Sequence, residues 1–222
     1  MSKIDWTDPK SLLKIWWSAT MLLLMTAGLF DGSLSKNLAV MSHINLTIFG
    51  QNLLVITSII LVFLGLRKLH PFFNWSWWRL FKPKGSDEYE NGKNINFIPT
   101  DIKWVGLLFC ILLILNLPAL ALQEENWFRL GTITWTQGLY RSLLFGMMHC
   151  LVGIPLAAGI ALTIGGLWFT HQYFIGGVDL SSLHHTTYNL ILGAILLIFL
   201  ILMHIVPILE KRYGRQEQDV EA

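Results

Sequence analysis

The stretch INLTIFGQNLLVITSIILVFLGL, residues 44–66, decides the fold of this chain, because its 23 residues include no charged side chain. As an α-helix the stretch would be about 35 Å long, which exceeds the roughly 30 Å hydrocarbon core of a bilayer. Arg67 and Lys68 follow immediately and mark its end. The stretch therefore predicts a helix that spans a membrane.

The composition of the whole chain agrees with this prediction. Of its 222 residues, 54% are hydrophobic and only 14% are charged, against about 25% charged residues in an ordinary soluble domain. The 16 basic and 14 acidic residues give a net charge of +2, whereas a nucleic-acid surface needs a concentrated basic face. We expect an integral membrane protein that is surrounded by the lipid bilayer and has no nucleic-acid partner.

Five further apolar stretches predict more membrane helices. We expect an all-α, polytopic helical bundle with about six transmembrane helices, multi-pass in a bacterial-type cell membrane or an equivalent internal membrane. Ala157, Ala161 and Gly165 recur at four-residue spacing and predict a face for close helix packing. The six predicted spans cover residues 12–30, 44–66, 104–122, 139–154, 155–174 and 184–206.

The spans divide the chain into three regions. Residues 1–103 hold two N-terminal membrane helices and a polar connection, in which the aromatic and basic side chains of residues 70–81 suit the headgroup layer. Residues 104–208 hold the remaining helices, and residues 209–222 form a polar tail. The connection is rich in Lys and Arg, so the positive-inside rule predicts that it lies in the cytoplasm together with both termini.

Charged side chains follow the third apolar stretch. No turn signal separates this stretch from Glu124, Glu125 and Arg129, so we expect the helix to continue through them. Ionisable groups against the hydrocarbon layer are costly and are therefore functional candidates. Glu125 and Arg129 are four residues apart and can pair, which leaves Glu124 about 100° round the helix. A carboxylate held by a guanidinium is a poor base, so Glu124 is the better candidate for activating a water.

Two later helices each carry a pair of candidate residues at the same four-residue spacing. Phe145 and His149 share one helix face, and His185 and Asn189 share another. A carboxylate with an imidazole can hold and deprotonate a water, and an imidazole with a carboxamide can donate hydrogen bonds to a developing oxyanion. We expect three helices to turn these groups into one polar intramembrane cavity. That set suffices for peptide hydrolysis without a nucleophilic Ser or Cys.

These residues form three motifs in chain order, which are E-E-x-x-x-R from Glu124 to Arg129, F-x-x-x-H from Phe145 to His149, and H-x-x-x-N from His185 to Asn189. The set resembles the motifs of the CPBP family, the CAAX protease and bacteriocin-processing or Abi family of intramembrane glutamate endopeptidases. The resemblance covers roughly residues 110–205 and implies that residues 104–208 form a CPBP-like catalytic core.

The resemblance implies catalytic roles for four residues and supporting roles for three. Glu124 would activate the water together with His149, and His185 and Asn189 would stabilise the oxyanion. The mechanism would need neither a metal nor a cofactor, and the substrate would be a membrane-associated protein or peptide. The supporting residues would be Glu125, Arg129 and Phe145.

Three alternatives stand beside this hypothesis. A b-type haem protein would use histidines as axial ligands, but it leaves the two glutamates and Arg129 unexplained. Zinc could be bound by two histidines and a glutamate, although the sequence lacks H-E-x-x-H. A catalytically idle family member would act as a membrane scaffold or immunity protein. The histidines available for haem are His149, His171, His185 and His204.

Three histidines also have simpler interpretations. We expect His171 and His204 to be hydrogen-bond donors between helices, because that is the common role of a single membrane histidine. His184 is expected at the entry of the last helix, pointing away from its neighbour His185.

Overall fold

The computed structural model describes residues 9–30, 33–76, 103–151 and 153–221, and within these ranges every regular element is a helix. The all-α prediction is therefore confirmed. The helices are α1 (Pro9–Phe30), α2 (Ser33–Ser42), α3 (Leu46–Leu69), α4 (Lys103–Phe128), α5 (Trp135–Leu151) and α6 (Leu156–Glu221), with a short 3-10 helix at Pro71–Asn74.

Three helical segments in the described part of the chain are long and apolar enough to cross a membrane, namely Leu46–Leu69, Leu107–Phe128 and Leu156–Met203. Large apolar side chains on the first of them are open to the surroundings, since Leu46 and Leu54 are 86% and 70% exposed. Such a surface suits lipid better than water. The structure therefore supports a membrane protein, while the number of six spans stays a prediction.

Local sequence fixes the two ends of α3. Asn45 has an extended backbone, and its side chain accepts a hydrogen bond from the Ile48 amide at 3.0 Å, which caps the first turn. His70 is extended and precedes Pro71, which disfavours a helical conformation at the residue before it. The predicted span 44–66 is present, with its ends shifted by two or three residues.

Some predictions fall outside what the structure describes. The polar connection is described only as far as Ser76, so the rest of the interfacial segment, through residue 81, lies outside the described residues. The same holds for the side chains of His204 and of the tail at 209–222.

The end of α4 and the start of α5 carry ordinary capping features. α4 continues through Glu124 and Glu125 to Phe128. This confirms the prediction made from the absence of a turn signal in this part of the sequence. Gly131 follows with a φ of 77°, in the left-handed region that favours glycine. α5 begins after Thr134, whose hydroxyl oxygen accepts a hydrogen bond from the Gln137 amide at 3.2 Å.

α6 is interrupted at Gly176 and Gly177, where the backbone leaves the helical region and Gly177 has a φ of 69°. Ser181 Oγ lies 2.9 Å from the Phe169 carbonyl oxygen, although the two residues are 12 apart in sequence. A straight helix would separate them by about 18 Å. The two legs of α6, before and after the glycines, therefore fold back on each other as a hairpin.

The hairpin modifies the prediction of two helices at 155–174 and 184–206. Only the two glycines have non-helical backbone angles, so the second leg begins about six residues earlier than expected. It also continues past Pro207 to Glu221. His184 consequently lies inside a helix, and its placement at a helix entry was wrong.

α5 and the first leg of α6 touch through their backbones. A Cβ atom on Gly166 would lie 2.9 Å from Ser142 Cα, and one on Gly146 would overlap the Gly159 carbonyl oxygen. Small residues allow this approach, as is common between membrane helices. The predicted small-residue face is also buried, with Ala157 and Ala161 fully enclosed, but the closest backbone contacts use Gly159 and Gly166.

The chain divides into two compact units. The first comprises Met1–Leu34, Asn94–Asn116 and Leu190–Ala222, and the second comprises Ser35–Lys93 and Leu117–Asn189. Within the first unit, Asn116 Nδ2 donates a hydrogen bond to the Met25 carbonyl oxygen at 3.0 Å, which joins α4 to α1. All seven predicted site residues belong to the second unit.

Candidate functional site

The end of α4 buries an ion pair. Glu125 and Arg129 are both fully buried, and Arg129 Nε lies 3.5 Å from Glu125 Oε2. At that distance the pair is electrostatic without a hydrogen bond. The guanidinium instead donates from Nη2 to the Gly166 carbonyl oxygen at 3.2 Å, and it lies over the Phe145 ring, 4.6 Å from the ring centre. Arg129, the first residue after α4, therefore joins the end of that helix to both α5 and α6.

Glu125 has donors on both carboxylate oxygens. His185 Nδ1 lies 2.8 Å from Oε1, and Ser181 Oγ donates to Oε2, the oxygen that also faces Arg129. Burying a carboxylate without such partners would be costly, and hydrogen bonds to an ionised group are among the stronger ones. Glu125 is therefore an internal anchor whose oxygens are already occupied.

Aromatic rings fix the orientation of His185. Phe169 stacks on its imidazole with ring centres 4.4 Å apart and an angle of 16° between the planes. Phe145 presents an edge with ring centres 5.5 Å apart. Because Nδ1 contacts Glu125, the ring directs Nε2 to Glu124, whose Oε2 lies 3.6 Å away.

Glu124 differs from Glu125 in exposure and in partners. Its side chain is 32% exposed, whereas that of Glu125 is completely enclosed. Its Oε2 atom is covered and has no hydrogen-bond partner among the described residues. Glu124 thus offers a partly exposed carboxylate, whose covered oxygen lies beside an oriented imidazole. This combination suits a general base.

His149 and Asn189 are the two predicted catalytic residues that make no described contact with the glutamates. His149 Nδ1 lies 2.8 Å from the Phe145 carbonyl oxygen, one turn earlier on α5, and its ring centre is 4.7 Å from that of Phe145. Asn189 follows His185 by one turn, is half-buried, and forms no hydrogen bond within the described residues. The structure brings the other five predicted residues into one cluster.

No family model, curated protein or solved structure matches the chain. The resemblance to the CPBP family therefore rests on the three motifs. The roles that this resemblance implies are proposals for this chain.

Sequence reasoning missed two residues of the cluster, Ser181 and Phe169. Ser181 precedes His185 by four residues, so the spacing that grouped His185 with Asn189 would also have found it. Phe169 lies on the other leg of the hairpin, and its stacking on His185 depends on the break at Gly177. No spacing in the sequence signals that contact.

A second buried polar contact links α3 to the second leg of α6. Asn52 Nδ2 lies 3.1 Å from His184 Nδ1 and donates to the Ile48 carbonyl oxygen at 2.9 Å. Both side chains are buried. The carboxamide uses both of its N–H groups in this arrangement, so His184 Nδ1 is the acceptor.

An open groove of about 440 Å³ lies between α3, the start of α5 and the first leg of α6. None of the seven predicted site residues lines it. His171 lines it, and its ring centre lies 6.1 Å from that of the Trp135 ring. Among the residues that the structure describes, His171 donates no hydrogen bond to another helix. No three His, Cys, Asp or Glu side chains of the described ranges are arranged as a metal-binding group.

Proposed function

We propose that this protein is an intramembrane glutamate endopeptidase of the CPBP type that hydrolyses a peptide bond in a membrane-associated protein or peptide. The observation that carries the proposal is the approach of Glu124 Oε2 to His185 Nε2, at 3.6 Å, at the end of a helix that is apolar enough to span a membrane. Polar groups at such a position are retained for function, because they are expensive there.

The proposed chemistry begins with a water held by Glu124. The carboxylate accepts one proton from the water while the oxygen attacks the carbonyl carbon of the substrate, which forms a tetrahedral oxyanion. Glu124 then gives the proton to the leaving nitrogen as the C–N bond breaks. Asn189 Nδ2, which has no partner within the described residues, is the proposed donor to the oxyanion.

We also propose that the chain crosses a bacterial-type cell membrane six times, around a polar cavity that contains the cluster. The glycine break supports this count, since residues 156–175 and 178–203 would each be long enough, at about 30 and 39 Å, to span alone. α3 and α4 supply two more spans. α1 with 22 residues and α5 with 17 residues complete the six.

The test compares membranes that carry the wild type with membranes that carry Glu124→Gln. New protein C-termini found only with the wild type would identify the substrate. We expect Glu124→Gln to lower cleavage by about 10²–10⁴-fold, the usual contribution of a general base. Gln123→Ala, which changes an exposed neighbour, is the matched control and should cleave normally.

Two outcomes would contradict the proposal. Full cleavage by a folded Glu124→Gln variant would show that Glu124 is not the base. Identical C-termini in wild-type and variant membranes would favour the idle scaffold or immunity protein.

A further inference from the structure

We infer that residues 67–76, at the end of α3, form a binding site for the phosphate group of an anionic phospholipid. Arg67, Lys68 and His70 are the proposed donors to the phosphate, and Asn74 is a positioning residue for Arg67. This inference goes beyond the proposed hydrolysis and does not depend on it, because none of the predicted catalytic residues lies in this part of the chain.

At the end of α3 the surface changes from apolar to basic. Leu61 and Leu64 are exposed apolar side chains, as expected of a helix surface that faces lipid. Arg67 and Lys68 follow in the last turn and are exposed as well. Within the described residues, neither of them has a carboxylate at ion-pair distance. Two such cations at the edge of a lipid-facing surface complement the charge of an anionic headgroup.

The guanidinium of Arg67 is held in one orientation. Its Nε atom donates a hydrogen bond to Asn74 Oδ1 at 2.6 Å, and the group lies over the Phe63 ring, 5.4 Å from the ring centre. The contact with Asn74 uses Nε alone and leaves both Nη groups as donors. A guanidinium with both Nη groups available can bind two oxygens of one phosphate, which a lysine cannot do.

His70 adds a donor with a defined position of its proton. Its Nδ1 atom accepts a hydrogen bond from the Phe72 amide at 3.1 Å. Because a backbone amide only donates, the proton of the neutral imidazole is on Nε2. Phe72 and Trp75 are exposed, and aromatic rings beside basic groups suit the layer in which headgroups meet acyl chains.

The backbone of this segment is fixed to the neighbouring helices. The Trp75 carbonyl oxygen accepts a hydrogen bond from the Leu156 amide at 2.9 Å, and Ser76 Oγ donates to the Gly153 carbonyl oxygen at 2.8 Å. These bonds join the end of α3 to the connection between α5 and α6. The donors are therefore presented on an ordered backbone, which lowers the entropic cost of binding a headgroup.

The experiment is a lipid titration of the purified full-length chain in a neutral detergent, with the bound lipid counted by native mass spectrometry. The probes are phosphatidylglycerol, which is anionic, and phosphatidylcholine with the same acyl chains, which is zwitterionic. Glycerol phosphate supplies the phosphate without acyl chains. We expect the wild type to bind phosphatidylglycerol about 10-fold more tightly than phosphatidylcholine, and to bind glycerol phosphate more weakly than either lipid.

Three variants test the named residues. Arg67→Gln should lower the affinity for phosphatidylglycerol about 10-fold, because a charge-assisted contact is lost, and should leave phosphatidylcholine binding unchanged. Lys68→Gln removes a charge without touching the Asn74 contact and should lower the same affinity about 5-fold. Asn74→Ala keeps every charge and should cause a smaller loss than Arg67→Gln.

Arg141→Gln is the matched control, since it makes the same change in charge near the start of α5, where Arg141 donates to the Leu130 carbonyl oxygen. It should bind phosphatidylglycerol as the wild type does. An equal loss in Arg141→Gln would overturn the inference by showing that only the net charge matters.

Three other results would also overturn the inference. They are equal affinities of the wild type for the two lipids, an unchanged affinity for phosphatidylglycerol in Arg67→Gln and Lys68→Gln, and binding of glycerol phosphate as tight as that of phosphatidylglycerol. The last result would identify a site for free phosphate. If Arg67→Gln does not fold, Lys68→Gln decides the outcome, because its exposed side chain makes no described contact.

Discussion

Replacing Arg129 by methionine should destabilise the protein more than any exposed substitution. Methionine keeps much of the apolar stem but removes the guanidinium. The variant loses the ion pair with Glu125, the hydrogen bond to the Gly166 carbonyl oxygen and the contact with the Phe145 ring. Glu125 would then be a fully buried carboxylate with only Ser181 and His185 as partners.

The expected loss follows from the burial of both partners. Removing one member of a buried ion pair typically costs about 3–5 kcal/mol, because the other charge is left uncompensated. For a chain of this size, that loss lowers the melting temperature by about 6–20 °C. Arg141→Met is the matched control, because Arg141 is more exposed and donates one hydrogen bond to the Leu130 carbonyl oxygen at 2.6 Å. Losing this hydrogen bond should lower the free energy of unfolding by no more than about 1.5 kcal/mol.

Thermal unfolding of the purified variants in detergent measures both losses. The double variant Glu125→Gln/Arg129→Met should recover most of the stability lost in Arg129→Met, since no unpaired charge remains. The reasoning fails if Arg129→Met melts within a few degrees of the wild type. It fails equally if the double variant is less stable than Arg129→Met alone.

Two further changes test the packing of the second unit by the same unfolding assay. Gly146→Ala should cost about 1–3 kcal/mol, because its methyl group would force α5 away from α6, whereas Gly65→Ala, which meets open space, should cost nothing. Asn52→Leu should cost about 1–3 kcal/mol, because His184 loses its buried donor. Ser182→Ala is its control, since that hydroxyl has no partner among the described residues. Equal melting temperatures for a variant and its control would contradict either prediction.

Helix periodicity and hydrophobicity predicted much of the fold. The uncharged stretch 44–66 appears as α3, and the absence of a turn signal correctly extended α4 through Glu124 and Glu125. Both predictions depend on signals within a few neighbouring residues. The same local spacing placed Arg129 one turn after Glu125, where the structure has the buried pair.

Contacts between distant segments were beyond that kind of reasoning. The start of the second leg of α6 was misplaced because two glycines suffice for the reversal, and no polar loop surrounds them. Which nitrogen of His185 faces which glutamate depends on the orientation of the ring, and that orientation is set by Phe169 across the hairpin. Helical spacing alone also could not separate His149 from His185 as the neighbour of Glu124.

The hairpin of α6 has a consequence for the order in which the site assembles. The contact between Ser181 and Phe169 closes a loop of 12 residues, whereas the contact between His185 and Glu125 closes one of 60. The entropic cost of closure rises with the logarithm of loop length, so the longer loop costs about 1.4 kcal/mol more.

Synthesis runs from the N-terminus, so α4 is made before the hairpin exists. During that interval Glu125 lacks both Ser181 and His185. Its available partner is Arg129, which is only four residues away in the sequence. The pair can enter the bilayer together as a nearly neutral unit. The hairpin then brings Ser181 and His185 to Glu125. Its own short loop has by that time fixed the positions of both residues.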